Sequence, residues 1–256
     1  MEYMIEARSD VGIQKKMNED SLLVKMVHTE LGNVVFAVIC DGMGGLKKGE
    51  VASATLVEAF DDWFMQSIPE TIYYDDFETR LQDEWNQLLS EYNQLLINYS
   101  AQHAVQMGTT ITALLLYRNQ YYIVNVGDSR AYRINKKVSQ LTKDHSLVAR
   151  EVEEGRLSIE EAKNDKRKNI LLQCIGVNSY VKPDFYVGDV KEEDRYLLCS
   201  DGFRHKITNQ EILEALSIEH VQSQEEMGNV LKYLIDTNKE RLERDNISAI
   251  LIKVIK

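Results

Sequence analysis

The chain has 256 residues, of which 44% are hydrophobic, and 30 basic against 41 acidic side chains give it a formal charge of −11. That length and apolar share allow a substantial core, and one domain over residues 1–256 is expected. The negative balance disfavours nucleic acid and anionic lipid as partners. The three cysteines form no CxxC pair, and "MEYMIEARSDVG" has neither a basic nor an apolar leader region. With no stretch long enough to span a bilayer, the expectation is reduced thiols in a cytoplasmic monomer without membrane contact.

Taken in chain order, β-rich runs at 21–27 and 33–40 come first, carrying Val, Ile and Leu between turn residues. A long segment at 49–104 follows, in which "VASATLVEAFDDWF" and "WNQLLSEYNQLLINYSAQ" space apolar residues as two helices require. Further strands are predicted at 111–117, 121–126 and 130–134. The charged stretch 146–169 has helical spacing, which suits either an exposed excursion or an ordinary surface helix pair. Strands at 184–190 and 195–199 lead to the helical "NQEILEALSIEH" and "MGNVLKYLIDTNKER" and a last strand at 247–255. Only Pro69 and Pro183 interrupt the chain, no linker-like stretch or repeat is present, and strands clustered around helical blocks predict sheets covered by helices.

Acidic residues fall at the ends of these strands. "VVFAVIC" stops at Asp41-Gly42, "RYLLCS" at Asp201-Gly202 and "YYIVNVG" at Asp128, while Asp245-Asn246 and Glu19-Asp20 stand just before strands. Where neighbouring strands are antiparallel, one strand's end and the next one's start share a sheet edge. Asp20, Asp41, Asp128, Asp201 and Asp245 can therefore converge from distant positions. Gathered carboxylates repel unless cations or protons offset them, and an all-oxygen set suits Mg²⁺ or Mn²⁺ rather than Zn²⁺. Taken singly, each feature has a duller reading: Asp-Gly is a common turn dipeptide, and "GDSR" and "RDN" are ordinary turn and helix-end sequences. Other glycine-loop chemistries fail on their residues. Lys47 stands where a dinucleotide fingerprint needs glycine, Glu50 and Val51 stand where a P-loop needs Lys-Ser or Lys-Thr, and neither G-x-S-x-G nor HExxH occurs.

Seven motifs in order, "SDVGIQKKMNEDSLLV", "VICDGMGGLKKGEVAS", "MGTTITALLL", "VNVGDSRAYRI", "LTKDHSLV", "LLCSDGFRHKIT" and "RDNISAILI", span about residues 8–252. In this series the chain resembles the metal-dependent Ser/Thr protein phosphatases of the PPM, or type 2C, family in bacterial form. The resemblance implies an α+β fold, a four-layer αββα sandwich of two antiparallel β-sheets flanked by helices. It implies a phosphatase for phosphoserine and phosphothreonine proteins, opposed by a Ser/Thr kinase, with Asp41, Asp201 and Asp245 at its catalytic centre. Asp41 would bridge two Mn²⁺ or Mg²⁺ ions, with Asp201 and Asp245 holding one and the Gly42 carbonyl, Glu19 and Asp20 serving the other. Asp128 matches the position of a third metal in bacterial members, and 146–169 matches the family's flap. Two cations sharing Asp41 would lower the pKa of a bridging water for in-line attack on the phosphoester, with Gly44 and Gly45 leaving room for metal, water and phosphate.

The chain departs from the family pattern at three places. Lys15 stands where an arginine usually grips phosphate, keeping the charge without the bidentate fork, and the alternative is a solvated surface lysine. Met43 replaces a histidine of many eukaryotic members and cannot donate a proton to the leaving group. His205 replaces an acidic residue associated with the third metal, so it is either a neighbour of that metal or a helix-start residue without a ligand role. His145, in "DHS", has no nucleophile or base pattern around it and reads as structural. Two further readings compete with an active phosphatase: a catalytically weak phosphoprotein-binding module of the same fold, and a structural Ca²⁺ binder, the latter poorly served by the scarcity of D-x-D loops.

Overall fold

The computed structural model describes residues 1–43 and 48–255. One five-stranded sheet contains, in spatial order, β1 (Glu2–Asp10), β10 (Ile247–Ile255), β9 (Arg195–Cys199), β6 (Arg130–Ile134) and β7 (Val138–Gln140). The other contains β2 (Asp20–Thr29), β3 (Gly32–Asp41), β4 (Ile111–Tyr117), β5 (Gln120–Val126) and β8 (Asp184–Asp189), and every pairing in both sheets is antiparallel. Eight of these strands lie where apolar runs predict them. β1 and β7 do not. β1 is an edge strand whose only ladder is with β10, and several of its side chains face solvent, so it carries little apolar signal of its own.

Helices α1 (Gly49–Thr71) and α2 (Phe77–His103) cover the second sheet. Ala52, Leu56, Phe60 and Trp63 repeat at helical spacing along α1 and bury against β3, where Phe36 stacks on Phe64 with ring centroids 5.1 Å apart. α5 (Asp201–Arg204), α6 (Asn209–Ala215) and α7 (Gln224–Glu240) cover the first sheet through Phe203, Ile212, Leu231 and Leu234. Between the sheets, Val35, Ala37, Ile39 and Leu114 meet Tyr196, Leu198, Ile250 and Ile252. The three apolar layers thus separate four layers of structure, the expected αββα sandwich. The 146–169 stretch contains α3 (Leu147–Glu153) and α4 (Ile159–Asn164), tied together by Arg167, which pairs with Glu151 at 2.8 Å and Asp165 at 2.7 Å. α4, α6 and α7 begin with capping boxes, Ser158/Glu161, Thr208/Glu211 and Ser223/Glu226, which satisfy otherwise orphaned amides.

Strand register decides where the acids go. Asp20 and Asp41 are direct cross-strand partners at the shared end of β2 and β3. In the other sheet, Arg130 pairs with Cys199 and Cys199 with Ala249, so Asp128 before β6, Asp201 after β9 and Asp245 before β10 all leave by one edge. Gly202 allows α5 to start hard against the β10 loop: a Cβ there would collide with the Asn246 carbonyl oxygen and lie 3.3 Å from Asp245 Cβ. Gly202→Ala is therefore expected to cost about 1–3 kcal/mol, read as a lower urea midpoint at unchanged m-value.

Candidate metal centre

Three of the five aspartates are raised by burial and by the charge of the others. Asp41 is raised well above the usual carboxylate range by burial and then by Asp20, Asp201, Asp128 and Asp245 in turn. Burial raises Asp20 to about 7 against the opposing hydrogen bonds of Ser248 and Ser200, with Asp201 and Asp245 adding to the rise. Asp128 is likewise pushed up to about 7 by burial, then by Asp201, with Arg204 opposing. The sequence-predicted acids thus converge on one edge of the sandwich. Among the described residues no three His, Cys, Asp or Glu side chains close into a formed metal cage.

Fixed neighbours hold each acid. Thr110 Oγ1 accepts the Asp41 amide at 3.0 Å, and the Asp41 carbonyl accepts the Thr110 amide at 2.9 Å and the Thr109 hydroxyl at 3.1 Å. The Ser200 hydroxyl donates to Asp20 Oδ2 at 2.9 Å. Gly42 donates its amide to the Glu19 carbonyl at 3.0 Å, and a Cβ on Gly42 would lie 2.6 Å from that oxygen and closer still to the Gly49 carbonyl, so only glycine fits. Lys15 lies at the rim, its Nζ 2.9 Å from Asp245 Oδ1 and 3.1 Å from Glu19 Oε2. The expectation placed on Gly44 and Gly45 falls outside the described residues. Met43 is anchored by its amide to the Gly108 carbonyl at 3.0 Å, and its Cε would lie 2.7 Å from a Cβ on Gly108.

Asp128 shares a buried network that the sequence motifs did not announce. Arg130 grips Asp144 through Nε and Nη2, both at 2.7 Å, and Arg204 Nη2 reaches the Asp128 carbonyl at 3.0 Å, Asp128 Oδ2 at 3.3 Å and Asp144 Oδ2 at 3.4 Å. Burial would raise Asp144, but Arg204 and Arg130 outweigh it and hold this acid below its ordinary range. His145 has the structural role its sequence suggests: Nδ1 accepts the Gly127 amide at 3.3 Å, so the Nε2 proton faces Asp184 Oδ2 at 3.1 Å. His205 lies beside Asp201, with Nε2 3.4 Å from Oδ2.

Asn246 is a site-shaping residue that sequence reasoning passed over, although it sits inside the "RDN" motif. Its amide donates to the Val11 and Met17 carbonyls at 3.0 and 3.1 Å, and its Oδ1 accepts the Glu19 amide at 2.9 Å. One side chain thus pins the loop carrying Lys15 and Glu19 to the loop carrying Asp245. Asn246→Ala is expected to destabilise by about 2–3 kcal/mol for three lost bonds, and circular-dichroism melts would measure it.

The donors suit a hard divalent cation. They are oxygens on several chain segments, and Asp201 Oδ1 is buried with no hydrogen-bond partner among the described residues, which is the state of an acceptor that a cation completes. The protein phosphatase 2C family model matches residues 13–243. A serine/threonine phosphatase, stp, of Listeria monocytogenes serotype 4b (strain F2365) is 34% identical over 249 residues, covering 97% of this chain and 94% of that protein. Among solved structures, the S. agalactiae serine/threonine phosphatase superposes with TM-score 0.84 at 28% identity, covering 99% of this chain and 100% of the other. The catalytic domain of the serine/threonine protein phosphatase PstP, in complex with two manganese ions, gives 0.79 at 28% identity, with 99% of each chain covered.

Proposed function

The chain belongs to the protein phosphatase 2C family and is a metal-dependent protein serine/threonine phosphatase, and we propose that its carboxylate edge is the active site, holding two Mn²⁺ or Mg²⁺ ions. The supporting observation is the raised state of Asp20, Asp41 and Asp128, which burial and the charges of the other acids produce where register brings them to one sheet edge. Asp41 would be shared by both cations, Asp201 and Asp245 would hold one, and Glu19, Asp20 and the Gly42 carbonyl would hold the other. When bound, such ions lower the pKa of a water nucleophile and neutralise the phosphoryl oxygens.

The chain's own residues orient the reaction. Thr109, Thr110 and Asn246 fix the backbone from which Asp41, Glu19 and Asp245 project. Lys15 at the rim can turn its ammonium to an incoming phosphate as a point charge. Asp128 is already paired with Arg204, so occupation of a third cation site there would compete with a guanidinium. Met43 offers no proton, so the leaving alkoxide takes one from water or another group, or departs unaided. We read 146–169 as a flap beside the cleft and 1–256 as one catalytic domain. The substrates are phosphoproteins, and a Ser/Thr kinase is the expected counterpart. A cytoplasmic location fits the three free, buried cysteines, and a monomer is the expected state. Among the described residues no helix is long and apolar enough to cross a membrane.

The test is turnover of an aryl phosphate and a phosphothreonine peptide. Both should require Mn²⁺ or Mg²⁺ and stop with EDTA, and turnover that ignores the chelator would overturn the reading. In the same assay Lys15→Ala should raise KM about tenfold, the worth of about 1.5 kcal/mol for a charged hydrogen bond, with a smaller change in kcat.

A further inference from the structure

His205 and Glu243 lie between members of the carboxylate set. Glu243 is 5% exposed in the loop before β10, and its Oε1 accepts the amides of Arg244 at 2.8 Å and Asp245 at 3.1 Å. Its other oxygen lies 3.5 Å from His205 Nδ1, while the far ring nitrogen lies 3.4 Å from Asp201 Oδ2. His205 is one helical turn after Asp201 and donates its amide to the Asp201 carbonyl at 3.1 Å. One imidazole therefore spans from the loop that carries Asp245 to the helix start that carries Asp201.

The backbone maintains this arrangement at a cost. Leu242 adopts φ 61°, a left-handed conformation that a branched aliphatic residue disfavours. The turn is secured because Glu243 donates its amide to the Asn238 carbonyl at 3.0 Å, and the Asn238 side chain donates to the Phe203 carbonyl at 2.8 Å. The strained turn delivers a buried carboxylate to the back of His205. With Oδ2 of Asp201 facing the ring, Oδ1 is the oxygen left without a partner among the described residues.

We propose that His205 and Glu243 are positioning residues, Glu243 holding the His205 ring so that it fixes the Asp201 carboxylate with Oδ1 available to a cation. The proposal rests on the metal-site reading above. It differs from a ligand role for His205, because the ring acts only through Asp201 and only while Glu243 orients it. Partners of this kind, behind the ligands, commonly carry about ten- to a hundredfold of metal affinity.

The experiment is a titration of the full, metal-free chain with Mn²⁺ alone at fixed pH, reading free Mn²⁺ by electron paramagnetic resonance. His205→Ala and Glu243→Ala should each weaken binding about tenfold, and the double variant should be no weaker than either, since the two act through one contact. Unchanged affinity in either single variant, or losses that multiply in the double, would overturn the proposal. A wild-type chain that binds no Mn²⁺ would instead sink the metal-site reading on which it rests. If the alanine variants do not fold, Glu243→Gln keeps an oxygen for both amides and replaces the charged acceptor facing His205 with a neutral donor. It should still weaken Mn²⁺ binding several-fold, and an unchanged value overturns the proposal.

Discussion

Asp41→Asn should lower turnover by three orders of magnitude or more, on the order of 4 kcal/mol of transition-state stabilisation, while leaving the metal-free fold intact. Asparagine matches the shape of aspartate, and the hydrogen bonds that seat residue 41 run from its backbone to Thr109 and Thr110, so they survive the change. The charge removed is one that burial and four neighbouring acids already oppose. The metal-free variant should therefore melt no lower than wild type at pH 8, and the melting increment that Mn²⁺ gives wild type should vanish. Calorimetry with and without Mn²⁺, run beside a phosphopeptide assay, separates these effects. A variant that melts well below wild type without metal would mean that Asp41 stabilises the fold by itself, against the view that its charge is held for a cation.

Several layers of this molecule were legible before folding. β3, β4 and β10 are buried along nearly their whole length, so their apolar runs stand out, and helices α1 and α2 carry regular apolar stripes. The convergence of the acids followed from their position at strand ends once the strands were taken as antiparallel. β1 was not legible because its stability comes from the ladder to β10 rather than from its own hydrophobicity. The counter-charges were not legible either. Arg204 meets Asp128 and Asp144 across 76 and 60 residues, and Glu243 meets His205 across a loop whose shape depends on the left-handed Leu242. Spacing along a chain predicts which side chains share an edge, but which cation serves which acid is decided by packing. The phosphoprotein-binding module loses ground because the acids that sequence motifs mark, Asp20, Asp41, Asp201 and Asp245, are all present, and the charges of Asp201 and Asp245 help to raise Asp20 and Asp41.

Metal and proton should compete for this edge, which makes the stability gained from Mn²⁺ rise with pH. Asp20 has an ordinary carboxylate pKa of about 4 when unfolded and about 7 in the metal-free fold, where burial is the first cause; Asp128 behaves alike. Between those values the unfolded chain has released its proton while the folded chain still holds it. Rising pH then favours unfolding, so these two acids cost the metal-free protein on the order of a few kcal/mol between about pH 4 and about pH 7, and Asp41, also raised by burial, acts with the same sign. Glu243 and Asp144 have the opposite sign, since their folded pKa values are depressed, Glu243 to about 2, and their contribution is lost only as pH falls below the ordinary carboxylate range. They leave the upper window clear. Mn²⁺ binds the charged carboxylates and reverses the trend, so its melting increment should be small at pH 5 and large at pH 8. In Asp20→Asn the Ser200 hydroxyl keeps an oxygen to donate to, while one of the three raised acids is gone. The metal-free variant should melt above wild type at pH 8 and show a shallower pH slope. A Mn²⁺ increment that is the same at both pH values would show that these acids are not protonated in the metal-free fold.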